Sequence, residues 1–220
     1  MFAGGIKPVL STNHRLKSML LPAAVVLLCA MSGPLFGQEK MPPLRVVRYS
    51  GDLTAFLAQI ATTYKVNLGL EMDPRQPYAR IEISVNDATF EDILNAVVQS
   101  APRYQWRNEN GIVDVFPKET TSPLLETVVH RFQFSGNDWG QAIDALTAAP
   151  EVQSQIANLG LVRREGKAAA AGKDASQFSI DLNDASVRRA LHEITRESGK
   201  SFWVYRPWQA ERSFSIGDSN

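Results

Sequence analysis

The sequence predicts an α+β protein built from two tandem small βαββαβ-type domains, with helices packed on short mixed sheets. Short segments of alternating apolar and polar residues are interspersed with helices that are apolar on one side only. A pattern of strand, Asn-Asp-Ala turn and amphipathic helix occurs twice. The matching segments also keep the same order along the chain, which is what a tandem duplication produces.

Three pairs of matching segments indicate the duplication. ISVNDATFEDILNAVV begins at Ile83, and IDLNDASVRRALHEIT begins 97 residues later, at Ile180. YSGDLTAFLAQI and FSGNDWGQAIDAL begin 85 residues apart, at Tyr49 and Phe134. The tetrapeptide NLGL occurs twice, 91 residues apart. Because the offsets rise steadily along the chain, a duplication with loop insertions in the second copy explains them better than chance.

Residues 1–37 have the composition of a signal peptide. Three basic residues precede an apolar run from Met19 to Met31, which is too short to span a bilayer, and no acidic residue occurs in this segment. We predict cleavage near Gly37 and a periplasmic or otherwise exported protein with no stable membrane span. The alternative is an uncleaved anchor. Cleavage would also remove Cys29, the only cysteine, which would exclude disulfides, thiol catalysis and cysteine-bound zinc.

The charge balance argues against a nucleic-acid partner. The whole chain carries 23 basic and 23 acidic residues, and cleavage would leave 20 basic and 23 acidic ones. A slightly acidic protein has little electrostatic attraction for phosphate backbones. The sequence gives no indication of the oligomeric state.

The first copy is predicted at residues 45–117, after a linker at 38–44. Its two helices follow from apolar stripes at helical spacing that begin at Leu53 and Phe90. Thr89 is a good N-cap, and Asp92 completes a capping box. The turn Glu-Asn-Gly predicts a tight hairpin at the end of the copy. The predicted strands lie near Arg45–Ser50, Val66–Glu71, Arg80–Val85, Tyr104–Arg107 and Ile112–Phe116.

The second copy is predicted at residues 126–208 and diverges in detail. Its helical stripes begin at Trp139 and Val187; Ser186 caps the second of these helices, but Arg189 cannot close a capping box. A long polar loop, Arg163–Ser176, replaces the short turn of the first copy. The remaining predicted segments are a linker at 118–125 and a polar tail at 209–220.

Both copies contain an alternating strand, an Asn-Asp-Ala-Thr/Ser segment and a helix with a central leucine. The residues of this pattern are Ile83, Val85, Asn86, Ala88, Thr89, Phe90 and Leu94, and again Ile180, Leu182, Asn183, Ala185, Ser186, Val187 and Leu191. In these residues the two copies resemble the secretin and TonB N-terminal short domain, in tandem, and no secretin pore or receptor barrel follows in this sequence. The resemblance implies a periplasmic domain that contacts other proteins.

The expected function is a non-enzymatic exported protein-interaction module that docks onto a cell-envelope secretion, pilus or TonB-type assembly. No catalytic, cofactor-binding or metal-binding residues are predicted, because His130 and His192 stand outside any known spacing of such sites. The alternative is a periplasmic ligand-binding protein or small hydrolase with a site between the two domains. That alternative would show polar residues with altered ionisation converging on the cleft.

One strand suggests a partner-binding surface. Trp106 and Trp203 match in the repeat, so both side chains should face the same way, but the second strand carries apolar residues on its other face also, at Phe202 and Val204. An exposed apolar patch is commonly a contact site. Phe202 and Val204 are therefore the candidate partner-binding residues; the competing explanation is that they pack against the first copy or against the tail around Trp208.

Overall fold

The computed structural model describes residues 44–164 and 176–218, so the predicted signal peptide and most of the polar loop lie outside the described residues. The described residues form five α-helices and ten strands in mixed sheets, which confirms the α+β class. They belong to one compact unit, and the predicted arrangement of two tandem domains is not confirmed. No helix among the described residues is long and apolar enough to cross a membrane.

The first half of the chain contains five strands and two helices, close to the predicted bounds. Their order follows the alternation of strand and helix patterns along the sequence. The elements are β1 (Leu44–Asp52), α1 (Leu53–Tyr64), β2 (Asn67–Glu71), β3 (Arg80–Ala88), α2 (Phe90–Ser100), β4 (Tyr104–Glu109) and β5 (Ile112–Pro117).

The second half repeats this order with one added helix. Pro150 begins the added helix, where proline is tolerated because the first helical N–H has no partner in the helix. The elements are β6 (Val128–Gly136), α3 (Trp139–Thr147), α4 (Pro150–Leu159), β7 (Val162–Arg163), β8 (Phe178–Ser186), α5 (Val187–Glu197), β9 (Phe202–Trp208) and β10 (Ser213–Gly217), with a 3-10 turn at Gln209–Glu211.

Strand pairing is the same in both halves. In the first half β1 pairs antiparallel with β3, β5 pairs antiparallel with β4, and β2 pairs parallel with β5. In the second half β6 pairs antiparallel with β8, β10 pairs antiparallel with β9, and β7 pairs parallel with β10. The repeat seen in the sequence therefore corresponds to a repeat of topology.

The turns before the second helix of each half also agree. Asp87 and Asp184 both take a left-handed conformation, with φ of 47° and 49°, a region in which aspartate is tolerated better than most residues. Thr89 and Asp92 form the predicted capping box, and Ser186 accepts from the Arg189 N–H without a box. These local predictions are confirmed because they depend only on neighbouring residues.

The two halves share one six-stranded sheet in the order β4-β5-β2-β9-β10-β7. The strands that join are β2 and β9, which run parallel, with Gly69 beside Trp203. A Cβ on Gly69 would lie 2.3 Å from the Trp203 ring. Glycine is therefore required at this position for the tryptophan to lie against the strand.

The helices of the two halves contact opposite faces of β9. Phe202 and Val204 pack with the core of the first half, whereas Trp203 and Tyr205 pack with the core of the second. Phe202 is 1% exposed and Val204 is fully buried. The predicted docking surface of Phe202 and Val204 is therefore inaccessible in this fold; the competing explanation, packing against the first half, describes what the structure shows.

Two other expectations need correction. The predicted polar tail, residues 209–220, contains β10, whose Phe214 and Ile216 are buried in the second core because alternate residues of the strand face that core. The predicted linker ends in Leu124 and Leu125, which are also buried there. The two NLGL segments also differ in structure: the first lies in β2, whereas Gly160 of the second ends α4 in a left-handed conformation.

Candidate functional site between the halves

A buried polar cluster joins the two halves where α5 covers β2 and β5. We call it the junction cluster. Its members are Asn67, Glu71 and Asp114 from the first half and Arg188 and His192 from α5. Arg188 and His192 are one helical turn apart, so both project from the same side of α5. The cluster lies beside the apolar contacts that join β2 to β9.

Arg188 is the centre of this cluster and is only 3% exposed. Its Nη2 donates to Glu71 at 2.5 Å, and its Nε donates to Glu126 at 2.9 Å. Its Nη1 lies 3.6 Å from Asp114, beyond a good hydrogen bond. The backbone N–H of Ser122 donates to the other oxygen of the Glu71 carboxylate. The buried charges of the cluster are therefore compensated within the molecule.

His192 is equally buried, and both of its ring nitrogens have partners. Nε2 lies 2.8 Å from Asp114, and Nδ1 lies 3.0 Å from Asn67. The side-chain amide of Asn67 donates to the backbone carbonyl of His192 at 2.8 Å. The ring also meets Trp203 edge-on, with centroids 5.1 Å apart. A histidine held in this way has no nitrogen left to activate a nucleophile.

Burial and charge set opposite pKa shifts in the two carboxyl groups. Burial raises the pKa of Glu71, although Arg188 opposes the shift through its charge and hydrogen bond. Burial acts in the same direction on Asp114, but the hydrogen bond and charge of His192, with Arg188 and Arg107, hold its pKa below the ordinary value. Burial disfavours the charged form of Arg188, but the charges of Asp114 and Glu71 raise its pKa. The arginine therefore stays charged.

The other histidine with described surroundings is on the surface. His130 Nδ1 lies 2.9 Å from Asp184, and both side chains are largely exposed. The hydrogen bond and charge of Asp184 raise the pKa of His130. Among the described residues, no group of three or more His, Cys, Asp or Glu side chains could hold a metal ion.

A groove with largely apolar walls lies at the end of β9, and we call it the apolar groove. It has a volume of about 290 Å³. Its polar residues include Glu71, which is committed to the junction cluster, and Arg212, which has no ion pair among the described residues. Its apolar walls are Pro74, Pro123, Leu159, Leu161, Tyr205, Pro207 and Trp208.

A second, polar groove lies between α1 and the far end of the second half. We call it the Arg206 groove. It has a volume of about 560 Å³ and is lined by Asp52, Arg206, Asp218 and one side of α1, which includes the buried Thr54 and the exposed Gln59. Burial lowers the pKa of Arg206, and the charge of Asp52 opposes that shift. One polar residue with a lowered pKa, Arg206, therefore lies in a groove between the two halves.

Sequence reasoning did not identify either the junction cluster or the Arg206 groove. Arg188 and His192 could have been noticed as polar residues one turn apart beside the apolar stripe of α5. Asp114 is a charged residue inside an otherwise apolar strand. Nothing in the sequence shows that these residues meet, because the contact depends on which strands pair across the halves.

No protein-family model, curated protein or solved structure matches this chain. The resemblance to the secretin and TonB N-terminal short domain therefore stays a prediction.

Proposed function

We propose that this chain is a non-enzymatic exported protein-interaction module that docks onto a cell-envelope secretion, pilus or TonB-type assembly. The observation that supports docking is the apolar groove, whose wall includes the half-buried aromatic side chain of Trp208. Tryptophan, tyrosine and arginine are the residues that dominate binding energy at protein interfaces.

The chemistry of the groove indicates what a partner must supply. Its walls are proline, leucine and aromatic side chains, which suit an apolar side chain. At its edge Arg212 has no carboxylate partner among the described residues, whereas Glu71 is already neutralised by Arg188. The partner segment is therefore an envelope polypeptide with an apolar side chain next to an acidic one.

Replacing Trp208 by alanine is expected to abolish co-purification of the envelope partner with the protein. The physical reason is the loss of an aromatic contact from the groove wall, while the fold is kept, since the Trp208 side chain is not fully buried. The control is Val128→Ala, an exposed apolar residue on β6, which should leave co-purification intact. Equal recovery of the partner with Trp208→Ala would refute docking at this surface.

The proposal also requires export. We expect the mature protein from envelope fractions to begin between Gly33 and Lys40, because the apolar run before this region is typical of a cleaved signal peptide. Mass spectrometry of the purified protein gives the N-terminus directly. A cytoplasmic protein that begins at Met1 would contradict both the localisation and the envelope partner.

A second function, the binding of a small ligand between the halves, is favoured by one specific observation, the Arg206 groove. The groove contains an arginine and an aspartate that do not pair with each other. Hydrolysis has no such support, because His192 has both ring nitrogens occupied inside the junction cluster.

A further inference from the structure

The Arg206 guanidinium is placed over a glycine and has no hydrogen-bonded acceptor in the described part of the chain. A Cβ on Gly217 would lie 3.2 Å from its Nη1, so the absence of a side chain there makes room for the guanidinium. Arg206 is partly buried, and no carboxylate of the described residues lies within ion-pair distance of it. A partly desolvated cation without a bound anion is unfavourable unless something else supplies the charge.

The two acidic residues of the Arg206 groove, Asp52 and Asp218, make different contacts. Asp218 is paired with Lys200 at 2.5 Å and is almost fully buried, so its charge is compensated. Asp52 caps α1 through Oδ1, which accepts from the Ala55 N–H at 2.9 Å. Its Oδ2 has no hydrogen-bond donor among the described residues. Among the described residues, the groove therefore offers one cation without an ion pair and one carboxylate oxygen without a hydrogen-bond donor.

We propose that the Arg206 groove binds a short zwitterionic peptide, whose carboxylate pairs with Arg206 and whose ammonium group lies at Asp52. A guanidinium binds a carboxylate through two parallel hydrogen bonds, and partial burial strengthens such a pair. Gln59 and Thr63, on the outward face of α1, can bond the peptide backbone. The volume of about 560 Å³ is within the range of small-molecule sites.

The identity of the ligand rests on the second function proposed above, ligand binding, and is independent of docking. The two functions use different surfaces, since the apolar groove contains neither Asp52 nor Arg206. Co-purification of an envelope protein therefore reports on docking alone. Binding of a small peptide to the purified protein reports on the Arg206 groove alone.

The test is a two-dimensional NMR titration of the purified protein with L-alanyl-L-alanine, its C-terminal amide and its N-acetyl form. Saturable shifts are expected at the backbone amides of Thr54, Ala55 and Arg206 with the free dipeptide. Loss of the carboxylate in the amide, or of the guanidinium in Arg206→Gln, should weaken binding about tenfold or more. The N-acetyl form should also bind more weakly, because it has lost the ammonium group.

Two controls separate a binding role of Arg206 from a structural one. Arg189→Gln removes an exposed arginine of α5 that does not line the Arg206 groove, and this variant should bind the dipeptide as the native protein does. Arg206→Gln should keep or raise the melting temperature, because it removes a partly buried cation that has no ion pair among the described residues. A lower melting temperature in that variant would instead assign Arg206 a structural role and overturn the proposal.

Other results would overturn the proposal directly. The first is the absence of saturable shifts at the groove amides with the free dipeptide. The second is equal binding of the dipeptide and its amide, which would show that the carboxylate is not recognised. The third is unchanged binding by the folded Arg206→Gln protein.

Discussion

Replacing Arg188 by alanine is expected to lower the free energy of unfolding by about 3–5 kcal/mol, because it leaves buried carboxylates without their counter-ion. Arg188 is 3% exposed and Glu71 is 1% exposed, so water cannot take the place of the guanidinium without opening the junction. Asp114 loses a positive neighbour in the same variant. Urea unfolding of the native and variant proteins near neutral pH measures the loss.

The stability lost in Arg188→Ala should depend on pH, and the ionisation of Glu71 determines the direction of this dependence. A carboxyl group with a raised pKa in the folded state contributes stability that is present below its unfolded value, 4.5, and is lost as pH rises through the folded value. Removing Arg188 takes away the main opposing influence and raises the folded pKa of Glu71 further. The deficit should therefore be largest near neutral pH and shrink as the pH falls towards 4.5.

The ionisation of Asp114 also makes the stability lost in Arg188→Ala larger at neutral pH than at low pH. Its folded pKa is lowered, so in the native protein it contributes stability above its unfolded value, 3.8, which is lost as the pH falls through the folded value. Part of that contribution comes from the charge of Arg188, and the variant lacks this part at neutral pH. Both carboxyl groups thus make the variant differ most from the native protein at neutral pH.

The matched control for Arg188→Ala is a substitution of the next residue, Arg189. Arg189→Ala removes an exposed arginine with no ion pair among the described residues, and should change stability by about 0.5 kcal/mol or less. If Arg188→Ala costs no more than the control, the junction cluster does not hold the halves together. A deficit that grows as the pH falls would contradict the ionisation scheme of Glu71.

The features that the sequence predicts well are local. The capping box of Thr89 and Asp92 depends on four consecutive residues, and the hairpin between β4 and β5 depends on Asn110 and Gly111, both of which have positive φ. Apolar periodicity likewise places the stripe of each helix, since one face must be covered. These local features do not depend on the rest of the chain, so they could be predicted from the sequence.

The junction could not be predicted in the same way, because strand pairing across the halves is non-local. The apolar residues on both faces of β9 indicated that something covers Phe202 and Val204, but not that the cover is the first half. The role of Gly69 becomes clear only when Trp203 lies beside it. The polar tail was misassigned because β10 is short, and its serines alternate with Phe214 and Ile216.

Leu94 and Leu191 occupy equivalent core positions in the two halves. Leu94 lies centrally on α2 and Leu191 centrally on α5, and both are fully buried. Replacing either by alanine should lower the free energy of unfolding by about 2–5 kcal/mol, through lost apolar contacts and the cavity that remains. Because β2 and β9 join the halves in one sheet, each substitution should shift a single cooperative transition of the whole unit.

Thermal and urea unfolding, followed by far-UV circular dichroism and by tryptophan fluorescence, test both parts of this prediction. The two probes should give the same midpoint in each variant, since Trp106 lies against the first core and Trp203 lies in the second. Val162→Ala, at a largely exposed position of β7, should leave the midpoint almost unchanged. If Leu191→Ala lowers the midpoint of only part of the unfolding transition, or of none of it, the halves unfold separately and the shared sheet does not couple them.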